Sequence, residues 1–163
     1  MLTSHETLLN QLLLNKISTL PEDTIILGVN LGLLLRQGKL PALLLLEGEM
    51  GAGKTYFAKG VGKAFGIEEE DILSPTFLIV REIPYENGVF YHCDFYRIMD
   101  SSQEVSLFGF FEEINENDLY LIEWPPQLED SEILELKRVF KTILKVSLKI
   151  EEEGKRRIKI EKL

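Results

Sequence analysis

Apolar residues recur at helical spacing in several stretches of the chain. Residues 3–13 begin with the capping-box form Thr3-x-x-Glu6 and continue with paired leucines one turn apart, which predicts an N-terminal helix. A second helix is predicted from Glu22 to about Gln37, because acidic residues occupy its first turn. A third is predicted from Lys54 to Phe65, and a short one over residues 101–108. These segments supply the helical part of the predicted fold.

Other stretches have the pattern of strands. Ala42–Leu46 is a continuous apolar run bounded by turn residues, which is typical of a strand buried on both faces. Leu119–Glu123 is a second such run, and it ends in a carboxylate. The remaining predicted strands are a brief extended stretch at Lys16–Leu20, a hairpin made of Phe77–Val80 and Val89–Asp94 around a turn at 86–88, and a second hairpin at residues 145–163 around Glu153-Gly154.

Two glycines fall inside the third predicted helix. Gly60 and Gly62 each weaken a helix by roughly 1 kcal/mol relative to alanine. We therefore expect them to allow this helix to pack closely against the sheet.

The segment between the first apolar run and the third helix carries the strongest chemical signal. Gly48-Glu49-Met50-Gly51-Ala52-Gly53-Lys54-Thr55 matches G-x-x-x-x-G-K-[ST], the P-loop motif. Its glycines let several backbone N–H groups approach phosphate oxygens, and the following helix adds its positive N-terminal end. We expect Lys54 to bind the β and γ phosphates of a nucleotide and Thr55 to be a hard oxygen ligand for Mg²⁺.

Two carboxylates end predicted strands, as P-loop enzymes require for holding the metal or orienting the nucleophile. They are Asp94 and Glu123, and the residues alone leave their division of roles open. His92 shares a strand face with Asp94. We interpret it as support for Asp94, since no third ligand for a metal pair is evident. Trp124 is either ordinary packing or an aromatic lid or docking residue.

Composition excludes several classes of protein. A chain of 163 residues with 45% apolar and 28% charged residues fits one globular domain, predicted to span residues 1–163. With 18 Lys+Arg against 27 Asp+Glu, the net charge of −9 repels nucleic acid backbones, so RNA contact is expected through partners. A single cysteine, Cys93, and the lack of a signal-like or membrane-spanning stretch favour a soluble protein of the reducing cytoplasm.

Several separate motifs together resemble the bacterial TsaE (YjeE) family, over roughly residues 21–126. The resemblance rests on the P-loop followed, in order and spacing, by Ser74-Pro75-Thr76-Phe77, His92-x-Asp94-x-Tyr96-Arg97, Glu104, Gly109 and Ile122-Glu123-Trp124-Pro125. It implies a small ATPase, with ATP and Mg²⁺ bound, that is required for making N6-threonylcarbamoyladenosine (t6A) in tRNA. Such proteins bind the TsaD–TsaB complex, and their ATP hydrolysis supports its repeated turnover, so tRNA would be reached indirectly.

The resemblance also implies roles for individual residues. Thr55 and Glu123 would be magnesium-site residues, and Asp94 a further catalytic or metal-organising acid. Thr76 would be a switch-type threonine near the γ-phosphate. Tyr56 departs from the family, which commonly has Thr or Ser there, so we expect altered contacts with the α-phosphate or ribose.

These observations predict a three-layer α/β P-loop fold. The sheet is expected to be mixed, with a parallel nucleotide-binding core and antiparallel strands added by the two hairpins. Residues 1–17 are expected to form a helical extension of the family core.

Two other functions stay open from the residues. A small-molecule kinase also combines a P-loop with a strand-end acid, although it usually needs an arginine-bearing lid, and the chain's arginines cluster only at Arg156-Arg157. A nucleotide-gated binding module would use slow hydrolysis as a timer. The basic residues of the last hairpin are interpreted as a solvated face balanced by residues 151–153, with contact to tRNA or an acidic partner as the alternative. The sequence does not indicate whether the chain self-associates.

Overall fold

The computed structural model describes residues 15–73, 80–97, 111 and 113–163. Within these ranges seven strands form one sheet in the order β1-β7-β6-β2-β5-β4-β3. The strands are β1 (Lys16–Ser18), β2 (Ala42–Glu47), β3 (Val80–Tyr85), β4 (Gly88–Asp94), β5 (Leu119–Glu123), β6 (Thr142–Ile150) and β7 (Arg156–Lys162). The end of the expected N-terminal extension, Lys16 and Ile17, is thus part of the sheet and pairs with β7.

Three α-helices accompany the sheet in the described ranges: α1 (Pro21–Arg36), α2 (Lys54–Ala64) and α3 (Asp130–Val139). The first two confirm the helices expected from the sequence. The predicted helices at residues 3–13 and 101–108 lie outside the described residues, as do Phe77–Ile79 of the predicted strand. Among the described residues, none of the helices combines the length and apolar character that a membrane span requires.

The mixed sheet agrees with the predicted fold class, but its parallel core is larger than expected. β6, β2, β5 and β4 are neighbours and run parallel. β3 pairs antiparallel with β4, β7 pairs antiparallel with β6, and β1 pairs antiparallel with β7. The sequence predicts that both hairpins supply only antiparallel strands, whereas one strand of each, β4 and β6, belongs to the parallel core. β6 instead joins the core, because α3, which the sequence analysis missed, provides the crossover that a parallel connection needs.

The sheet is covered by helices on both faces. Along β2, Leu44 and Leu46 belong to the apolar cluster that includes residues of α1 and α2, whereas Leu43 and Leu45 belong to the cluster that includes Leu136 of α3. This alternation follows from the two-residue period of a strand. It confirms the three-layer α/β architecture.

The helix glycines do not pack against the sheet as expected. A Cβ atom at Gly60 would clash with the backbone carbonyl of Ile25 in α1, and one at Gly62 would clash with the side chain of Ile72. The close approach that Gly60 permits is therefore between the two helices on the same face of the sheet.

We expect Gly60→Ala to destabilise the protein by about 2 kcal/mol. The added methyl meets backbone atoms that cannot rotate away, and such overpacking costs typically 1–3 kcal/mol. Urea unfolding measures the change. The matched control is Lys63→Ala, at an exposed side chain in the last turn of α2, which should stay within about 0.5 kcal/mol of the parent. A Gly60→Ala protein as stable as the parent would contradict this packing.

Candidate nucleotide-binding site

The P-loop lies between β2 and α2, at the carboxyl end of the parallel strands. It opens onto a cavity of ≈ 370 Å³, whose walls come from the loop, the first turn of α2 and the ends of β4 and β5. Ligands of open α/β sheets bind at this edge. The cavity is lined by Met50, Gly51, Gly53, Lys54, Thr55, Tyr56, Asp94, Tyr96, Glu123 and Trp124.

The loop has the backbone form that phosphate binding requires. Gly53 is the N-cap residue of α2 and has φ 101°, a left-handed conformation that glycine adopts readily. Before it, the N–H of Ala52 donates to the carbonyl of Glu49 at 3.1 Å, which closes a turn. The first N–H groups of α2 therefore lie next to the cavity, where the helix dipole favours an anion.

Lys54 is held inside the loop. Its Nζ donates to the backbone carbonyls of Gly48 at 2.7 Å and Glu49 at 3.0 Å, and the residue is only 5% exposed. Burial lowers the pKa of the Lys54 ammonium, and the nearby carboxylates of Glu123 and Asp94 act in the opposite direction. The ammonium group is thus held in a fixed position beside the N-terminus of α2.

The two strand-end carboxylates meet on one side of the sheet. Asp94 and Glu123 are register partners in the parallel pair of β4 and β5, so their side chains leave the same face. The Thr55 hydroxyl donates a hydrogen bond to Oε1 of Glu123 at 3.2 Å. Asp94 Oδ1 accepts a hydrogen bond from the backbone N–H of Tyr96 at 2.9 Å.

These oxygen groups fit a magnesium ion. Mg²⁺ is usually bound through one or two carboxylates or hydroxyls together with water and substrate phosphates, rather than by a cage of side chains. Thr55 and Glu123 supply such groups beside the P-loop, and Asp94 lines the same cavity. Within the described ranges, no cluster of three or more His, Cys, Asp or Glu residues has the arrangement of a complete protein metal site.

His92 contacts a different acid from the one expected. Its Nε2 lies 2.9 Å from Oε1 of Glu123, and both side chains are buried. The sequence pattern favours support for Asp94, because His92 and Asp94 share a strand face. The parallel pairing of β4 with β5 instead brings the neighbouring strand's carboxylate within reach of the ring.

Trp124 forms an aromatic wall of the cavity. Lys54 Nζ lies 4.1 Å from the centroid of its indole ring, and the Tyr96 ring lies 4.9 Å away. The residue has φ 57°, uncommon for a bulky side chain, and its backbone N–H donates to the carbonyl of Leu46 near the end of β2. The sequence left open whether Trp124 packs or serves as a lid or docking residue. In the structure its ring packs against Tyr96 and also lines the cavity.

Arg156 reaches the P-loop from the far end of the chain. Its Nη2 donates to the carbonyl of Gly51 at 3.3 Å. Two neighbouring cations of the same hairpin pair with residues 151–153, as the balanced solvated face predicted: Lys155 with Glu153 and Arg157 with Glu151. Lys159 pairs with Glu161, outside that stretch. The sequence pattern places all these cations on one face and does not reveal the separate contact of Arg156.

Comparison with known proteins identifies the family. The model of the family described as "Threonylcarbamoyl adenosine biosynthesis protein TsaE" matches residues 18–158. The chain belongs to the TsaE family. It is therefore a member of a family of tRNA threonylcarbamoyladenosine biosynthesis, and the resemblance noted in the sequence is confirmed over a longer stretch than residues 21–126.

Relatives and a solved structure agree with this family. The TsaE protein of Rickettsia felis is 38% identical over 70% of this chain and 61% of its own length, and that of Rickettsia typhi is 38% identical over 74% of this chain and 77% of its own. The chain thus matches about three fifths of the Rickettsia felis protein. The crystal structure of Bacillus subtilis YdiB superposes with a TM-score of 0.56 at 25% identity, covering 90% of this chain and 83% of that one.

Most site residues that the TsaE-like motifs indicated come together in the structure. Lys54, Thr55, Tyr56, Asp94 and Glu123 all line one cavity. Gly48, Glu49 and Ala52 form the loop beneath it, and Met50, Gly51 and Gly53 line it. Thr76 lies outside the described residues.

Proposed function

We propose that this TsaE-family chain is a Mg²⁺-dependent ATPase that binds the TsaD–TsaB complex and resets it during t6A synthesis. One observation carries the enzymatic part: a P-loop lysine, a threonine hydroxyl and two strand-end carboxylates converge on a single cavity. Family membership supports the part in tRNA modification.

The triphosphate would be bound by the loop backbone and Lys54. The N–H groups at the start of α2 and the buried ammonium of Lys54 neutralise the charge that builds on the phosphate oxygens as the bond to the leaving group breaks. We assign Tyr56 to the α-phosphate or ribose, because its half-exposed ring lines the cavity next to Thr55. Thr76 keeps its proposed role as a switch threonine near the γ-phosphate.

Hydrolysis would proceed by in-line attack of water on the γ-phosphorus. The bond from this phosphorus to the β–γ bridging oxygen breaks, which gives ADP and phosphate, and the proton of the water passes to an acceptor at the site. Thr55 and Glu123 would hold Mg²⁺, which when bound neutralises charge between the β and γ phosphates. Asp94 or Glu123 orients the water, and both lie at the cavity wall.

The net charge and the free cysteine bear on how the chain would reach tRNA and where it would act. A net charge of −9 disfavours direct contact with a polyanion, so tRNA would be reached through the TsaD–TsaB complex. We place the activity in the cytoplasm, since tRNA is the molecule modified and the free Cys93 is compatible with a reducing compartment.

Reconstitution with the cognate TsaD–TsaB complex tests the proposal. We expect repeated rounds of t6A formation on tRNA to require both this chain and ATP, with phosphate release increasing when the complex is present. The proposal fails if the complex neither binds the chain nor changes its turnover. Transfer of the γ-phosphate to a small-molecule acceptor, instead of its release as phosphate, would mean that the chain is a kinase.

Arg156 is expected to contribute modestly to nucleotide affinity. Because it contacts the Gly51 carbonyl, Arg156→Ala removes a hydrogen bond that steadies the loop, worth about 0.5–1 kcal/mol or a two- to fivefold loss of ATP affinity. Calorimetric titration with ATP measures this. Arg157→Ala is the matched control, because Arg157 pairs with Glu151 instead. Equal losses in both variants would mean that hairpin charge, and not the loop contact, is responsible.

A further inference from the structure

His92 is a buried polar residue that the ATPase mechanism above does not use. Its side chain is fully buried on β4, and it does not line the cavity. Nε2 lies 2.9 Å from Glu123 Oε1, whereas Nδ1 has no hydrogen-bond partner within the part of the chain that is described. An apolar side chain would pack there without leaving a buried nitrogen unpaired, so packing alone does not account for a histidine.

The contact defines how Glu123 is held. A carboxylate oxygen only accepts hydrogen bonds, so the proton between the two groups belongs to Nε2 and the ring donates. Oε1 therefore receives the ring N–H from inside the sheet, at 2.9 Å, and the Thr55 hydroxyl from the first turn of α2, at 3.2 Å. Two donors from different elements fix the rotation of one carboxylate.

We propose that His92 is a positioning residue, which orients the Glu123 carboxylate toward Thr55 and the phosphate cavity. The ring acts only through Glu123, in the way that hydrogen-bond partners behind metal-binding residues orient them. This inference rests on the proposed Mg²⁺-dependent ATPase function, in which Glu123 is a magnesium-site residue.

Two amide variants separate positioning from packing. The amide nitrogen of Gln reaches the place of Nε2, whereas that of the shorter Asn does not, so His92→Gln keeps the donor and His92→Asn loses it. We expect His92→Asn to lower kcat by about tenfold or more and to raise the Mg²⁺ concentration needed for half-maximal activity, with KM for ATP changed less than about twofold. His92→Gln should restore kcat to within about threefold of the parent.

Equal behaviour of the two variants would overturn the proposal, because only His92→Gln keeps the donor to Glu123. Thermal unfolding of both proteins checks that each is folded. An unchanged Mg²⁺ requirement in His92→Asn would also overturn it.

A measurement without nucleotide keeps this inference distinct from the proposed function. Nitrogen-15 NMR of the imidazole, assigned with a His5→Gln variant because the chain has two histidines, reports which ring nitrogen carries the proton. We expect the Nε2–H tautomer, with its resonances displaced by Glu123→Gln. A proton on Nδ1, or resonances indifferent to Glu123→Gln, overturns the positioning role whether or not the protein hydrolyses ATP. If the expected tautomer is found but the protein does not hydrolyse ATP, the contact between His92 and Glu123 is supported and the proposed ATPase function is rejected.

Discussion

Lys54→Ala is expected to lower the rate of ATP hydrolysis by about 100- to 1,000-fold, the effect of removing one preorganised charge-stabilising donor from an active site. The Lys54 ammonium is buried, donates hydrogen bonds to two loop carbonyls and lies close to two carboxylates, so it is fixed in place before the reaction begins. Alanine supplies neither the charge nor the hydrogen bonds. Phosphate release from ATP, measured with the chain and the TsaD–TsaB complex, gives the ratio.

Lys63→Ala is the control for this change. Lys63 lies in the last turn of the same helix, is exposed and pairs with Glu69 at 3.4 Å, so its loss removes the same charge away from the cavity. We expect its hydrolysis rate to match that of the parent. Similar losses in both variants would mean that the net charge of α2, and not the position of Lys54, governs activity.

Glu123→Gln is expected to reduce hydrolysis by about 100-fold or more, which corresponds to about 2.7 kcal/mol in the barrier. The amide keeps the shape of the side chain but removes the negative charge that would hold Mg²⁺ beside Thr55. We expect the remaining activity to respond weakly to Mg²⁺, while association with the TsaD–TsaB complex is retained. Phosphate release across a Mg²⁺ titration measures the effect, and a pull-down with the complex measures association.

Glu47→Gln is the matched control for Glu123. Glu47 also ends a parallel strand, next to β5 in the sheet, but its carboxylate pairs with Lys145 at 2.9 Å and does not line the cavity. Its hydrolysis rate should be that of the parent. If Glu123→Gln leaves hydrolysis intact, the strand-end carboxylate is not part of the reaction and the enzymatic proposal loses its support.

The parts of the fold that could be predicted are those in which local pattern and burial agree. The apolar run Ala42–Leu46 is buried on both faces as its sequence indicated, and the glycine-rich loop follows it directly. Asp94 and Glu123 could be proposed as site residues because each ends a predicted strand, as a P-loop enzyme requires. That they lie at one edge follows from the parallel pairing of β4 with β5, which the sequence pattern did not predict.

The parts that were missed are one helix and the contacts distant in sequence. α3 is a local element whose signals were overlooked. The backbone N–H of Glu129 donates to the Glu132 carboxylate at 2.8 Å in a capping box, and Ile133, Leu136 and Phe140 recur at helical spacing. Without α3, nothing indicated that β6 joins the parallel core. The contact of Arg156 with Gly51 joins residues 105 positions apart, so no local pattern could predict it. It depends on where β6 and β7 lie in the sheet.

Side-chain partners inside the sheet were also beyond the sequence pattern. Strand period places His92 and Asp94 on one face, but it does not reveal which neighbouring strand contributes the hydrogen-bond partner. The observed partner, Glu123, depends on the register of β4 with β5. Gly60 is similar, because the pattern marks a close approach without showing that α1 is the neighbour.

Fluorescence of Trp124 during titration with ATP tests the central claim most directly, that this cavity binds the triphosphate. It is the only tryptophan in the chain, and its ring centroid lies 4.1 Å from Lys54 Nζ, so a phosphate bound by that lysine changes the surroundings of the indole. We expect a saturable change that is stronger with Mg²⁺ and is lost in Lys54→Ala. A fluorescence signal that ATP does not alter, together with no heat of binding by calorimetry, would contradict the account.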